Sequence, residues 1–263
     1  MAAIYTSPRL HTPMYFFLTN LSFIDISFIS LIFPQMLAHF FLEGEQVCLS
    51  ECLVQVYFFT LLVTAEFLLL TAMAYDRYVA ICNPLCYLTI MNKAVCVGLA
   101  AGIWITGFMN PIPHTLLMSR LSYCKSHTIN HFFCDLRVLL TLSCSSTYTI
   151  EIFSYILGST FGVLPFAFII MSYVKILSAI LRIQSTKGRQ KAFSTCTSHL
   201  TVVILFCLSM CSTYMQPASA HPVKGSKIFA LSYAAITPLC NPIIYSLKNT
   251  EIKNALKKKK NTK

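Results

Sequence analysis

Six stretches of this chain are predominantly apolar over roughly 20 residues or more, at about 14–41, 52–80, 94–118, 149–181, 194–217 and 226–247. A helix needs about 20 such residues to cross about 30 Å of hydrocarbon, so each stretch reads as a bilayer crossing. The second and fourth exceed one crossing and are expected to tilt or to project into water. Pro34, Pro111, Pro165, Pro238 and Pro242 fall inside these segments, where neighbouring helices of a membrane bundle tolerate them. A soluble fold is excluded by composition: 56% of residues are hydrophobic and 11% charged, against about a quarter charged in soluble domains. The expected fold is an all-α membrane protein, a single helical bundle over 1–263 with a basic tail at 248–263. No internal repeat is visible, which counts against many transporter folds.

The net charge of +11 does not mark a nucleic-acid groove, because the cations sit in short spacers between apolar stretches and in Lys257, Lys258, Lys259 and Lys260. One set of spacers carries Arg9, Arg77, Lys93, Arg182, Lys187, Arg189, Lys191 and the tail. The other carries Glu43, Glu45, Glu51, Arg120, Lys125, Arg137, Lys224 and Lys227. The first set is richer in cations and is assigned to the cytosol, with both termini inside. Met1 to Pro13 has no apolar core before a cleavage site, so the first apolar helix is expected to act as its own targeting signal. Cys48, Cys52, Cys124, Cys134 and Cys144 then fall on the outer side, where disulfides persist. Three of them share one long loop, a length that is uncommon without a function or a covalent tie. Spacing alone leaves their pairing open. Cys82, Cys96, Cys196, Cys211 and Cys240 read as packing residues.

Five stretches carry a more specific signal. His11-Thr12-Pro13-Met14-Tyr15 precedes Leu21-Ser22-Phe23-Ile24-Asp25, and Met73-Ala74-Tyr75-Asp76-Arg77-Tyr78 closes the second span. Ser172-Tyr173 lies in the fourth, Lys191-Ala192-Phe193-Ser194-Thr195-Cys196-Thr197-Ser198-His199 opens the fifth, and Pro238-Leu239-Cys240-Asn241-Pro242-Ile243-Ile244-Tyr245 closes the sixth. Together, from about residue 8 to 256, they resemble the odorant-receptor branch of the rhodopsin-like G-protein-coupled receptors. Members of that family have seven helices, and the six spans correspond to the second through the seventh. The chain begins where the family's first inner loop would be, so a chain lacking the first helix is the expectation. The sequon Asn20-Leu21-Ser22 lies inside a helix and is not expected to be glycosylated.

The resemblance implies disulfides between Cys52 and Cys134 and between Cys124 and Cys144, leaving Cys48 free. It implies an activation switch at Asp76, Arg77 and Tyr78, joined from other helices by Tyr173, Asn241, Pro242 and Tyr245, with Arg77 passing from Asp76 to a heterotrimeric G protein of the stimulatory olfactory type. A plain interfacial anchor is the alternative for Arg77. The odorant is expected among Phe59, Thr60, Val63 and Thr64 on the second span, with Phe161, Tyr214 and Leu231 converging by analogy. Apolar walls with a few hydroxyls suit a small volatile molecule. Cys207 departs from the family, which usually carries a tyrosine there.

Asp25 and Glu66 are the carboxylates inside the spans. At 1.5 Å per residue both sit about 15–16 Å from the inner face. Two carboxylates at one depth call for a cation or a proton. The two readings are a sodium site completed by Asn241, and a protonated acid that is hydrogen-bonded. No other cofactor is implied. His127 and His131 form no metal box, and GxGxxG, P-loop and Ser-His-Asp patterns are missing, so an enzyme is not expected. The leading expectation is a multi-pass odorant receptor of the plasma membrane. A non-signalling fragment held in the endoplasmic reticulum, or less favoured a transporter or channel, is the alternative.

Overall fold

Among the described residues of the computed structural model, five helices are long and apolar enough to cross a bilayer. Those residues are 12–41, 48–123, 134, 136–214, 239–241 and 243–244, some of them, Tyr214 included, by backbone alone. The expected sixth segment is described only at 239–241 and 243–244, which are helical, and the 248–263 tail lies outside the described residues.

Helix α1 runs Pro13–Phe41. Proline suits a first helical position because its missing N–H would have had no partner there. Phe17, Leu21, Ile24, Phe28 and Ile32 recur at helical spacing and are buried, whereas Phe23, Ile26 and Leu37 face outward, as a lipid-facing stripe does. Polar side chains in such a helix must find partners locally. Thr19, Ser22 and Ser27 each donate a hydroxyl to the carbonyl four residues back, at 2.8–2.9 Å.

Helix α2, Leu49–Cys82, is the hub. Leu61, Leu62, Thr64, Ala65, Phe67, Leu69, Leu70, Met73 and Ala74 cover every side of it and all are buried. A helix that is hydrophobic all round belongs at the centre of a bundle. After it, a 3₁₀ turn at Pro84–Cys86 and helix α3 at Tyr87–Ile90 lead to α4, Lys93–Met109. Asn92 caps α4 by accepting from Val95 N at 3.0 Å. The apolar run 94–118 forms one candidate crossing, Lys93–Ser119, interrupted at Asn110. Pro111 and Pro113 remove two backbone donors, and α5, Pro111–Ser119, restarts after Asn110.

A short α6, Leu136–Leu142, precedes α7, Tyr148–Gly158. A π-helical stretch, Ser159–Val163, then passes into α8, Leu164–Leu181. Its wide turn is visible in Leu164 N–H bonding to Ser159 O, five residues back, just before Pro165. Helix α9 runs Thr186–Tyr214. It starts well before the expected 194, because Ser185 accepts from Gly188 N through its hydroxyl and from Arg189 N through its carbonyl. Lysine, arginine and glutamine are also good helix formers. Lys187, Arg189 and Lys191 therefore ride on a helix and not in a spacer. Packing against α2 comes from α1, α4, α5, α8 and α9.

The contact of α4 with α2 includes Gly107, where an added Cβ would meet Ala65 Cβ and Leu61 O at 3.4 Å. Small residues let membrane helices approach in this way. Gly102, on the same helix, has nothing within 4 Å. Gly107→Leu should lower the thermal midpoint of the detergent-purified protein, by an overpacking cost of about 1–3 kcal/mol. Gly102→Leu should leave it unchanged. Thiol-reactive dye melting, which reads the buried Cys96 and Cys196, distinguishes the two.

Candidate functional site

Arg77 lies at the end of α2 that the charge distribution assigns to the cytosol. Its Nη2 is 2.8 Å from Asp76 Oδ2. The contact is ionic and off hydrogen-bond alignment, since Oδ2 has no partner that meets hydrogen-bond geometry. The other carboxylate oxygen, Oδ1, accepts from the Tyr87 hydroxyl at 2.7 Å. Burial, with the Asp76 carboxylate beside it, holds the Tyr87 phenol well above its usual range, so it stays a donor. Tyr78 stacks under Lys175 Nζ, 5.7 Å from the ring centroid. Tyr87 was not anticipated from the sequence. The signal for it was a tyrosine on the short helix that follows the Asn83-Pro84 break. Leu85, 98% exposed, and Leu88 sit on the same connection and offer bare hydrocarbon.

Tyr173, expected to join this cluster from another helix, bonds a histidine. Its hydroxyl lies 2.7 Å from His199 Nδ1, and the two rings stack at 5.7 Å and 12°. His199 Nε2 is 3.0 Å from Leu70 O. A carbonyl only accepts, so Nε2 carries the proton, and Nδ1 accepts from Tyr173. One imidazole thereby joins α8, α9 and α2. His199 stands in the quoted motif that opens the fifth span, yet its spacing gave no hint of its partners. Pro242 and Tyr245 lie outside the described residues.

The three mid-bundle polar residues do come together. Asn241 Nδ2 donates to Asp25 Oδ1 at 2.9 Å and to Glu66 Oε1 at 3.4 Å, and all three residues are buried. Asn241 Oδ1 is buried without a hydrogen-bond partner among the described residues. Asn20, by contrast, is structural. Its Oδ1 accepts from Trp104 Nε1 at 3.1 Å and its Nδ2 donates to Phe16 O, which ties α4 to α1.

Towards the other end, Phe59 is buried and meets Phe28 edge to face at 5.8 Å. Thr64 donates to Thr60 O and accepts from Asn110 Nδ2 at 2.9 Å, so its hydroxyl is held between α2 and the α4–α5 break. Thr60 and Val63 are half-buried. Phe161, also half-buried, stands on the π stretch that packs on α2. The Tyr214 side chain and Leu231 lie outside the described residues.

Cys52 and Cys134 are joined by a disulfide with Cα atoms 5.1 Å apart. Cys134 N donates to Gln55 Oε1 at 2.9 Å. Around the bridge, Val56, Met118, Leu139 and Ile150 form a separate apolar cluster, so the described part of the loop is pinned by packing as well as by sulfur. Cys144 is disulfide-bonded too, while Cys124, its expected partner, lies outside the described residues. Cys48 is free and exposed.

The family model described as "Olfactory receptor" matches residues 1–263. Olfactory receptor 8D1 of Homo sapiens is 46% identical over 255 residues, 97% of this chain and 83% of that protein. Olfactory receptor 1G1 of Gorilla gorilla gorilla is 47% identical over 97% of this chain and 82% of its own length. For olfactory receptor 1f45 of Rattus norvegicus the figures are 46%, 97% and 82%. Since the family match runs over the whole chain, the chain belongs to the olfactory receptor family and is a multi-pass membrane receptor, not an enzyme.

Proposed function

We propose that this chain binds a small volatile odorant within its helix bundle and activates a heterotrimeric G protein, of the stimulatory olfactory type, at the plasma membrane. The observation that carries the reading is the sharing of Asp76 between Arg77 and Tyr87 at one end of the helix that every other long helix touches. An odorant against Phe59, Thr60, Val63 and Thr64, with Phe161, Tyr214 and Leu231 closing around it, presses on α2. Any turn or slide of α2 relative to α8 and α9 strains the Leu70–His199–Tyr173 tie. Release of that tie frees Tyr173, and Asn241, Pro242 and Tyr245 on the last span move with it. Arg77 then exchanges Asp76 for the G protein, with Tyr78 beside it and Leu85 supplying an apolar contact. Arg182, Lys187, Arg189 and Lys191 add positive charge around that face.

Asp25, Glu66 and Asn241 suit a sodium ion. Two carboxylates share one amide donor, and the amide oxygen Asn241 Oδ1 is left without a partner. Bound there, the ion would neutralise the carboxylates and hold the first, second and last of the spans in one arrangement. A proton on one carboxylate is the competing way to relieve the same repulsion.

A cyclic-AMP reporter with an odorant panel, paired with surface staining, tests the receptor reading. At matched surface level, Arg77→Ala should abolish the response, and Asp76→Asn, which releases Arg77, should raise the basal signal several-fold. A wild-type chain that stains at the surface and answers no odorant refutes the reading, and a chain retained inside favours the non-signalling alternative. For the ion, the purified protein should melt a few degrees higher in sodium than in choline chloride. Asp25→Asn and Glu66→Gln should erase that difference, and its persistence in both variants would remove the ion from this place.

A further inference from the structure

His114 is a buried polar residue of the bundle that the signalling scheme leaves unused. It sits on α5 at 7% exposure, with Nε2 2.6 Å from Ser154 Oγ on α7. The Ser154 hydroxyl donates its own proton to Ile150 O at 2.6 Å. A hydroxyl has one proton, so Ser154 Oγ accepts here and His114 Nε2 carries the ring proton. The ring is neutral, because a charge within the bilayer is costly and no ion pair is seen at His114 among the described residues. Nδ1 is therefore a bare acceptor. No described residue bonds it, yet it is not enclosed in the way that the unpartnered Asn110 Oδ1 is. Open space remains beside it.

The helix register says where that space lies. His114 follows Asn110 by four residues and shares its face, since Asn110 keeps helical angles, and Asn110 Nδ2 donates to Thr64 Oγ1 on α2. Met118, four residues further on, packs in the cluster around the Cys52–Cys134 bridge. His114 thus stands one turn outward of the Thr64 tie, at the level of Thr60, in the wall expected to receive the odorant. The other side-chain donor atoms of this corner already have partners: Thr64 Oγ1 meets Thr60 O, Asn110 Nδ2 meets Thr64, and Ser154 Oγ meets Ile150 O. The Thr60 hydroxyl donates or accepts, so it favours neither class of ligand. A carbonyl or ether oxygen facing Nδ1 sets two lone pairs against each other, whereas a hydroxyl completes the bond.

We infer that His114 is a specificity-determining residue of the odorant site, and that it selects alcohols or phenols, whose O–H donates to Nδ1. The role rests on the odorant reading of this bundle and deepens it. A site built to bond a hydroxyl rejects the analogue lacking one far more strongly than an apolar wall distinguishes shapes.

The test takes the full chain in detergent micelles and a panel of alkanols and phenols, each paired with its methyl ether, with octanal set beside octanol. The thermal midpoint against ligand concentration gives apparent affinity without signalling, and the cyclic-AMP reporter gives potency. In each pair that binds, the hydroxyl compound should be favoured by about tenfold or more. His114→Phe, which retains a ring, should abolish that preference. His114→Gln supplies an amide donor to Ser154 and an acceptor oxygen, and should restore most of it. Ser154→Ala removes the acceptor that fixes the ring proton, so the proton is free to move to Nδ1, and ethers and octanal should gain severalfold. This last variant tests the role even if His114→Phe does not fold. Equal affinity for alcohols and ethers in the wild type, an unchanged preference in folded His114→Phe or in Ser154→Ala, or binding by no member of the panel overturns the assignment. Hydroxyl-selective binding without a cyclic-AMP response would refute the signalling reading alone, and a response without hydroxyl preference would refute the role of His114 alone.

Discussion

A polar group inside a bilayer has no water to turn to, and in this protein that constraint decides which residues can occupy the helices and what they do there. Backbone groups are satisfied within each helix, the only open-ended way to cross hydrocarbon. Hydroxyls follow the same logic on a smaller scale, with Thr71, Ser172, Thr201 and Ser209 each bonded to the carbonyl four residues back. Side chains too long or too polar for that solution must reach another helix. Asn20 reaches Trp104, Asn110 reaches Thr64, His199 reaches Leu70 and Tyr173, and Asn241 reaches Asp25 and Glu66. Each unavoidable polar residue thus becomes a joint between helices.

The joints are directional where apolar packing is not. Lipid tails are as apolar as leucine, so burial against lipid and burial against protein differ little, and contacts between helices rely on close fit and hydrogen bonds. The central helix α2 takes part in three of the four joints, through Thr64, Glu66 and Leu70, and carries Cys52 near one end and Arg77 near the other. Between those ends every joint sits within two turns. A displacement of α2 therefore reaches several partners at once, which gives a physical basis for coupling its two ends.

The crossings were legible because length and apolarity are properties of a segment by itself. What sequence could not place was rotation about each helix axis. Tyr173 meets His199, a partner that residue spacing did not indicate. The Thr64 hydroxyl is held by Asn110, at an interruption in the 94–118 run that apolar content alone conceals. Asp25 and Glu66 share a depth that follows from counting residues along each axis, and Asn241 bonds to both. The Cys52–Cys134 pairing entered through family resemblance, since spacing permits several connectivities.

The π-helical stretch at Ser159–Val163 has a consequence for α7 and α8 together. One surplus residue in a helical path offsets everything beyond it by roughly a quarter turn, about 100°. Tyr155 and Ile156 on one side, and Ile169 and Tyr173 on the other, consequently belong to two differently indexed helical wheels, although they lie on a single apolar rod. Relatives that differ by one residue within this stretch would keep the crossing and its inner half intact while turning a different set of side chains toward the bundle at the opposite end. Length variation here is thus a way to alter what one half of a helix presents without disturbing the other.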